Sequence, residues 1–417
     1  MRARLLVSDP EDAAAAARLL AAAGWETQAR PQHGPVDLIV VDEWTPETAP
    51  HVVAARASGT PVTVLAELVL QRAAGPVVAV SGTAGKTSTC RALAHIITAC
   101  GGTVAISGTA RSGNAWPDRS LVVAPPADAV TIAELTSTHL CHMGEVRADV
   151  AVLTRIRPDH SELHGGLERY YAAKRRLVDA APPGAAYVLP VDDPVTMRLL
   201  GRPLVPGWAF GRVDRARMDG AFVVRDSVVL RAGGTEVAGP PGATGTALRA
   251  ALAAACSAMA LGVPPDAVAA ALGGIPVVPH RMARHGVSRG ITLIDDTMAA
   301  TPLKALAAIR AVPDGPLVLI VGGDDAPGGT PVHTAPEESA ALARALDLAR
   351  SRADRLIAFG PAAQRVAAHV RVDDRTDDVT EALAVALARC PRGGTVLASP
   401  MFPVGPADRE WVAASGG

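Results

Sequence analysis

Four small or β-branched apolar residues, Val77-Val78-Ala79-Val80, run directly into Ser81-Gly82-Thr83-Ala84-Gly85-Lys86-Thr87-Ser88-Thr89, and an Ala/Leu/Ile-rich stretch follows. This reads as a strand, a tight turn and a helix. A strand ending in a small-residue turn lets successive backbone N–H groups face one spot at the positive end of the next helix dipole. That spot suits a polyphosphate. Lys86 is then placed to meet the β/γ-phosphates, the Thr87 hydroxyl to ligate Mg²⁺, and Gly82, Thr83, Gly85 and Ser88 to complete the cradle. The spacing is the short form G-x-x-G-K-T; the longer G-x-x-x-x-G-K-[ST] would require glycine at Val80. A bare Gly-Lys-Thr in a surface turn is the alternative, and the strand before and helix after favour the phosphate loop.

A chain of 417 residues is too long for one core and implies two to four domains. Hydrophobic residues make up 49% but aromatics only 3%, so Ala, Val and Leu must fill the interior. Lys plus Arg (40) balance Asp plus Glu (41), which argues against a broad nucleic-acid or anionic-membrane footprint. Small molecules are the expected partners. Five scattered cysteines, Cys90, Cys100, Cys141, Cys256 and Cys390, fit a reducing compartment better than a disulfide framework. Leu5-Leu6-Val7 is too short for a signal-peptide core, and no uncharged apolar run reaches the roughly 20 residues that span a bilayer. The expectation is a soluble cytoplasmic protein.

Residues 1–75 alternate short apolar runs (Leu5–Val7, Val36–Val41, Pro61–Leu65) with helical ones such as Glu11–Ala23, the pattern of a small parallel α/β unit. Ser8-Asp9-Pro10 stands where a dinucleotide fold carries its glycine-rich turn. After a linker near Gln71–Pro76, residues 76–279 predict a doubly wound domain with strands near 77–80, 103–106, 129–134, 149–153 and 186–189. Residues 203–246 predict an antiparallel excursion, and 247–261 an Ala-rich helix. Beyond the linker Ile275–Pro279, residues 280–417 predict a third α/β unit. Its strands fall at 291–294, 317–321, 356–359 and 395–398, and its helices at 302–311, 334–353, 361–371 and 378–389.

Glu134 ends one apolar run, and Asp159-His160 follows another, so a carboxylate and an imidazole approach the same sheet edge as the phosphate loop, where Mg²⁺ and ATP would sit. Taken singly, Glu134 also reads as a helix-start carboxylate and His160 as a turn histidine. Asp296 ends the run Ile291–Ile294, or else caps the following helix.

Taken in order, Gly82-Thr83-Ala84-Gly85-Lys86-Thr87-Ser88, Glu134-Leu135-Thr136-Ser137, Arg157-Pro158-Asp159-His160, the stretch Leu163–Lys174, His280-Arg281 and Ser399-Pro400 resemble the Mur ligase family over roughly residues 76–417. These are ATP-dependent amide ligases of peptidoglycan stem-peptide synthesis, and the chain is most similar to the branch that adds D-glutamate to UDP-N-acetylmuramoyl-L-alanine. The resemblance implies a three-domain architecture: a reduced Rossmann-like domain at 1–75, a P-loop ATPase domain at 76–279 and a Rossmann-like ligase domain at 280–417. It implies that Lys86 and Thr87 hold ATP and a first Mg²⁺ with Glu134, and that His160 ligates a second. Lys174 matches a lysine carbamylated in the family, since an uncharged amine that captures CO₂ supplies the anionic oxygens a hard cation takes. Without the resemblance, Lys174 reads as solvated surface. Arg281 and Asp296 match residues that grip the nucleotide, on a domain that closes over ATP as a lid.

The departures matter as much. Met298 and Ala300 replace a family lysine and threonine, Ala326 replaces the glutamate-branch lysine, and Met401-Phe402-Pro403-Val404 replaces a Ser-bearing loop. Thr136, His139, Met298, Ala326 and Trp411 are therefore expected to line a pocket poorly suited to a dicarboxylic amino acid. Arg155 replaces an asparagine, the His-Asn-x-x-Asn word is missing near Thr244–Ala250, and the N-terminal unit lacks the words that hold UDP. The leading expectation is thus an acid–amino acid ligase of a specialised pathway, working through an acyl phosphate. The alternatives are a genuine D-glutamate-adding ligase and a non-catalytic nucleotide-binding homologue.

Overall fold

The fold is described from a computed structural model for residues 1–28, 34–107, 126–201, 207–212, 218–240, 245–286, 290–405, 407 and 409. These residues form an α/β protein with three sheets. Two compact units emerge: Met1–Arg157 with Leu163–Pro276, and Pro158–Glu162 with Val277–Gly417.

In the first unit, β1 (Arg2–Leu6), β2 (Glu26–Gln28), β3 (Leu38–Val41) and β4 (Val62–Val64) make a parallel sheet of order β2-β1-β3-β4. The polar edge strand β2 was not legible as a strand, because no apolar face marks it. The expected linker is shorter at its start, since the helix Leu65–Arg72 runs into it. The buried Glu67 on that helix accepts from Thr63 Oγ1 (2.6 Å) and from the Gly144 and Glu145 amides (3.0 and 2.9 Å).

The larger sheet of this unit is built on β5 (Val77–Ser81), which lies between β7 (Val130–Glu134) and β8 (Val150–Leu153), all parallel. β6 (Val104–Ser107) flanks β7, and β9 (Ala186–Pro190) and β10 (Gly207–Gly211) continue beyond β8 in parallel. Period-two alternation divides the buried residues between two faces. Val78, Val80, Ile132 and Val152 pack with Leu93 and Ile96 and with the Ala-rich helix Gly245–Ala260. Val77, Ala79, Ala133 and Leu153 pack with Tyr170 and Leu177, and with Ile39, Val41 and Val64 from the small sheet. Covering both faces is what a continuous apolar strand such as β5 demands. The expected antiparallel excursion is β11 (Gly220–Val224), β12 (Ser227–Ala232) and β13 (Thr235–Gly239), joined to the main sheet by a parallel β10–β11 pairing.

The second unit carries β14 (Ala283–Gly286), β15 (Thr292–Asp295), β16 (Leu317–Gly322), β17 (Arg355–Phe359), β18 (Asp374–Thr376) and β19 (Thr395–Met401) in the order β14-β15-β19-β16-β17-β18. Only β14 runs antiparallel. Helices Pro302–Ala311, Pro336–Arg352 and Val379–Arg389 fall where the sequence predicts them, while 361–371 contracts to Ala363–Ala367. Among the described residues, no helix is long and apolar enough to cross a membrane.

Candidate active site

The turn after β5 is shaped by what glycine lacks. Gly82 has φ +142°, and a Cβ there would lie 2.1 Å from Thr154 Oγ1 and 3.0 Å from the Arg155 N and O atoms. The Thr154 hydroxyl is pinned, donating to Ala84 O (2.7 Å) and Ser81 O (3.2 Å). Thr83 anchors the other side: its N–H donates to Arg155 O (2.6 Å), and its hydroxyl meets the Tyr170 hydroxyl (2.6 Å). Lys86 Nζ curls back to Gly82 O at 3.0 Å. The helix Lys86–Ala99 begins at Gly85 (φ +94°), which offers no capping side chain, and its first turn holds no acidic residue. These features fit an anion at the helix start.

The first helix of the chain is the opposite case. At Pro10–Ala21, Asp9 Oδ1 accepts from the Glu11 and Asp12 amides (2.9 and 3.2 Å), and both residues add negative charge. That helix start is filled by the protein's own carboxylate and opposes a phosphate.

Glu134 is the last residue of β7, in register with Val80 and only 3% exposed. It does not start the next helix, because Thr136 caps Ser137–His142 in a reciprocal box with His139 (3.0 and 3.2 Å). Lys174 is 2% exposed on the inward face of the helix Leu167–Asp179, so the solvated-surface reading is wrong. Its Nζ donates to Ser81 Oγ (3.1 Å), which donates to Leu135 O (2.6 Å). Ser81 thus joins the lysine to the loop and to the strand end bearing Glu134. The buried His139 also pairs with Glu43 (Nε2 to Oε2, 3.3 Å), a carboxylate that sequence reasoning missed.

Around Arg155, which stands where the resemblance places an asparagine, lies a charge network. Arg157 grips the buried Asp193 with two bonds (3.0 and 2.9 Å), and Arg155 Nε adds a third (3.1 Å). Arg249 grips Asp192 the same way (2.6 and 2.8 Å). Burial alone would raise the Asp193 carboxyl, but the hydrogen bonds from Arg157 and the Thr196 amide hold it below its ordinary value.

The second unit gathers other predicted residues. His160 has φ +50° and lies near Asp159 (3.7 Å) and Glu162 (3.3 Å). Burial opposes the imidazolium, yet these two carboxylates push its pKa up overall. Asp296 is buried at the end of β15 and accepts from Ser399 Oγ (2.9 Å) and the Met282 amide (3.2 Å). The His280-Arg281, Asp296 and Ser399 words therefore converge. Burial raises the Asp296 carboxyl to about 7 against the pull of Ser399 and Arg281. It does not cap the helix at Pro302, where Thr301 holds the N-cap position. Met298 is half-buried and touches Arg409, whose Nη1 lies 3.0 Å from its sulfur. Arg409 is itself 8% exposed, a cation that no motif pointed to. Ala326 opens the turn Pro327–Gly329, and Trp411 lies outside the described residues.

Comparison with known proteins identifies the family. Residues 80–235 match the Mur ligase middle domain, and residues 280–402 match the Mur ligase, glutamate ligase domain. A UDP-N-acetylmuramoylalanine–D-glutamate ligase from Symbiobacterium thermophilum is 31% identical over 382 residues, covering 87% of this chain and 79% of the relative. One from Thermobifida fusca is 32% identical over 387 residues, covering 87% and 80%. Among solved structures, MurF ligase from Thermotoga maritima in complex with ADP superposes with TM-score 0.63 at 18% identity, covering 91% of this chain and 94% of that one. A pseudomurein peptide ligase type C from Methanothermus fervidus gives 0.65 at 17%, covering 99% and 98%. The solved structures share the fold, and the chain belongs to the Mur ligase family of ATP-dependent ligases.

Proposed function

We propose that this chain couples a carboxylic acid to an amino acid with one carboxylate, through an acyl phosphate. The observation that carries the reading is Lys174, buried beside Ser81 at the mouth of the phosphate loop. A lysine buried there is not a solvated surface charge; as a neutral amine it adds CO₂, loses one proton and presents a carbamate. Thr87, Glu134 and that carbamate are oxygen donors of the type Mg²⁺ takes, and His160 is the second unit's proposed ligand to a second ion. Bound Mg²⁺ would neutralise phosphate charge during transfer. Lys86, released from Gly82 O, would lie against the β/γ-phosphates, while Arg281 and Asp296 would hold the nucleoside. The substrate carboxylate attacks the γ-phosphorus and ADP leaves; the amine then attacks the acyl carbon, phosphate leaves and the nitrogen loses a proton.

Arg409 beside Met298 supplies one cation where two lysines are replaced by Met298 and Ala326. Loss of the lysines at Met298 and Ala326 leaves fewer cations for a second acceptor carboxylate. The Asp9-capped helix start argues for a donor without a diphosphate there. The second reading, D-glutamate addition to UDP-N-acetylmuramoyl-L-alanine, is favoured by the names of the relatives at 31% and 32% identity. Mass spectrometry of an incubation with ATP, Mg²⁺, that donor and all common amino acids separates them, with Lys174→Ala as control. A glutamyl adduct lost in the control establishes the second reading. ATP turnover with other acids and monocarboxylic amino acids supports the first, and no turnover with any acid or amine overturns both.

A further inference from the structure

Away from the phosphate loop, three different donors meet at one buried corner of the first unit. Glu47 lies on the loop after β3, Cys141 on the helix Ser137–His142, and His164 next to Leu163, whose carbonyl accepts from the Glu47 amide (2.8 Å). A carboxylate oxygen, a thiol sulfur and a ring nitrogen from these residues lie within 4.8 Å of one another. His164 Nδ1 is 2.8 Å from Glu47 Oε1. His164 is fully buried, and its Nε2 has no hydrogen-bond partner among the described residues. The nearby His142 is also buried, with Nε2 on Thr45 O (2.8 Å) and Nδ1 without a partner among the described residues. The carboxylate, thiol and imidazole of Glu47, Cys141 and His164 together are the donor set of a transition-metal site.

We propose that Glu47, Cys141 and His164 form a site for a borderline-soft divalent cation of the zinc class, separate from the Mg²⁺ chemistry of the phosphate loop. Metal–ligand lengths of about 2.0–2.3 Å put tetrahedral ligand atoms roughly 3.3–3.6 Å apart, so the cluster needs only side-chain adjustment. Thiolate and imidazole select zinc-like ions over Mg²⁺, and three protein ligands leave a fourth position for water. Binding displaces one proton from the Cys141 thiol to solvent. Burial and the Glu47 carboxylate push that thiol up in the metal-free protein, and the cation's charge reverses the balance. Against burial, the contacts from His164 and Arg56 hold Glu47 below its ordinary value, as a carboxylate ready to ligate. The ion would tie the Glu47 loop to the helix that carries His139.

The test is a Co²⁺ titration of the chelator-treated full chain in excess Mg²⁺, read as near-ultraviolet thiolate-to-cobalt absorption. The band is expected to saturate at equimolar Co²⁺, to be competed away by Zn²⁺, to vanish in Cys141→Ser, and to persist in Cys100→Ser, which changes an exposed cysteine. Glu47→Gln keeps a hydrogen-bonding partner for His164 and is expected to keep the band with about 10–100-fold weaker binding. No band in the unmodified protein, or a band that survives Cys141→Ser, overturns the proposal. If Cys141→Ser melts abnormally, Glu47→Gln decides: unchanged affinity there overturns it as well.

Discussion

Replacing Gly82 by alanine tests the phosphate loop most sharply, because Gly85 provides an internal control. The new methyl at position 82 would lie 2.1 Å from Thr154 Oγ1 and 3.0 Å from two Arg155 backbone atoms, whereas ordinary contact begins near 3.4 Å. Either the turn moves by about 1 Å or Thr154 rotates and gives up its bonds to Ser81 O and Ala84 O, worth about 1 kcal/mol each. A non-glycine residue at φ +142° adds roughly 1–3 kcal/mol of strain. The sum, about 3–5 kcal/mol, corresponds at most to roughly 10²–10⁴-fold weaker nucleotide binding. At Gly85 the nearest atom to an added Cβ is Thr154 Cβ at 3.7 Å, so only the cost of φ +94° remains. About 1–2 kcal/mol, or a loss near tenfold, is expected there. Calorimetric titration with a non-hydrolysable ATP analogue and Mg²⁺ reads both, with thermal melting to show that each variant folds. Adding Thr154→Ala to Gly82→Ala should recover part of the loss, since the Arg155 backbone still crowds the site. Affinity within threefold of the parent for Gly82→Ala, or a larger loss for Gly85→Ala, would refute the reasoning.

Lys174→Ala is expected to abolish ADP release while leaving analogue binding nearly intact, and short-chain carboxylates that enter the vacated space should restore part of the turnover. Asp296→Asn should raise the melting temperature at pH 7–8. The wild-type carboxyl titrates near 7 folded against 3.8 unfolded, so its stability falls as pH rises through that window, by about 1.4 kcal/mol per unit and at most about 4 kcal/mol. The advantage of the variant should vanish as pH approaches 4. Asp193→Ala leaves Arg157 without its bidentate partner and removes the cap accepting from the Thr196 amide, a loss of about 2–4 kcal/mol by urea unfolding at neutral pH. Because the Asp193 carboxyl is held below 3.8, that difference should shrink as pH falls below this value.

What the sequence made legible follows from how local each signal is. The phosphate loop could be read because strand, turn and helix are contiguous, and the strand-end carboxylate Glu134 because the apolar run before it fixes its place on the sheet. Lys174 could be placed only through the resemblance, since its helix alternates charged and apolar residues and nothing local says which face turns inward. The partners of these residues were out of reach for the same reason. Thr154 lies 70 residues from the Ala84 carbonyl it holds, Arg249 lies 57 from Asp192, and Arg409 lies 111 from Met298. Arg409 also limits the argument from substitutions: Met298 and Ala326 remove cations from the sequence positions that carry them in the glutamate branch, yet a buried guanidinium from the far end of the chain lies against Met298. A motif lost along the chain therefore bounds the number of carboxylates the acceptor carries, and does not by itself exclude a carboxylate.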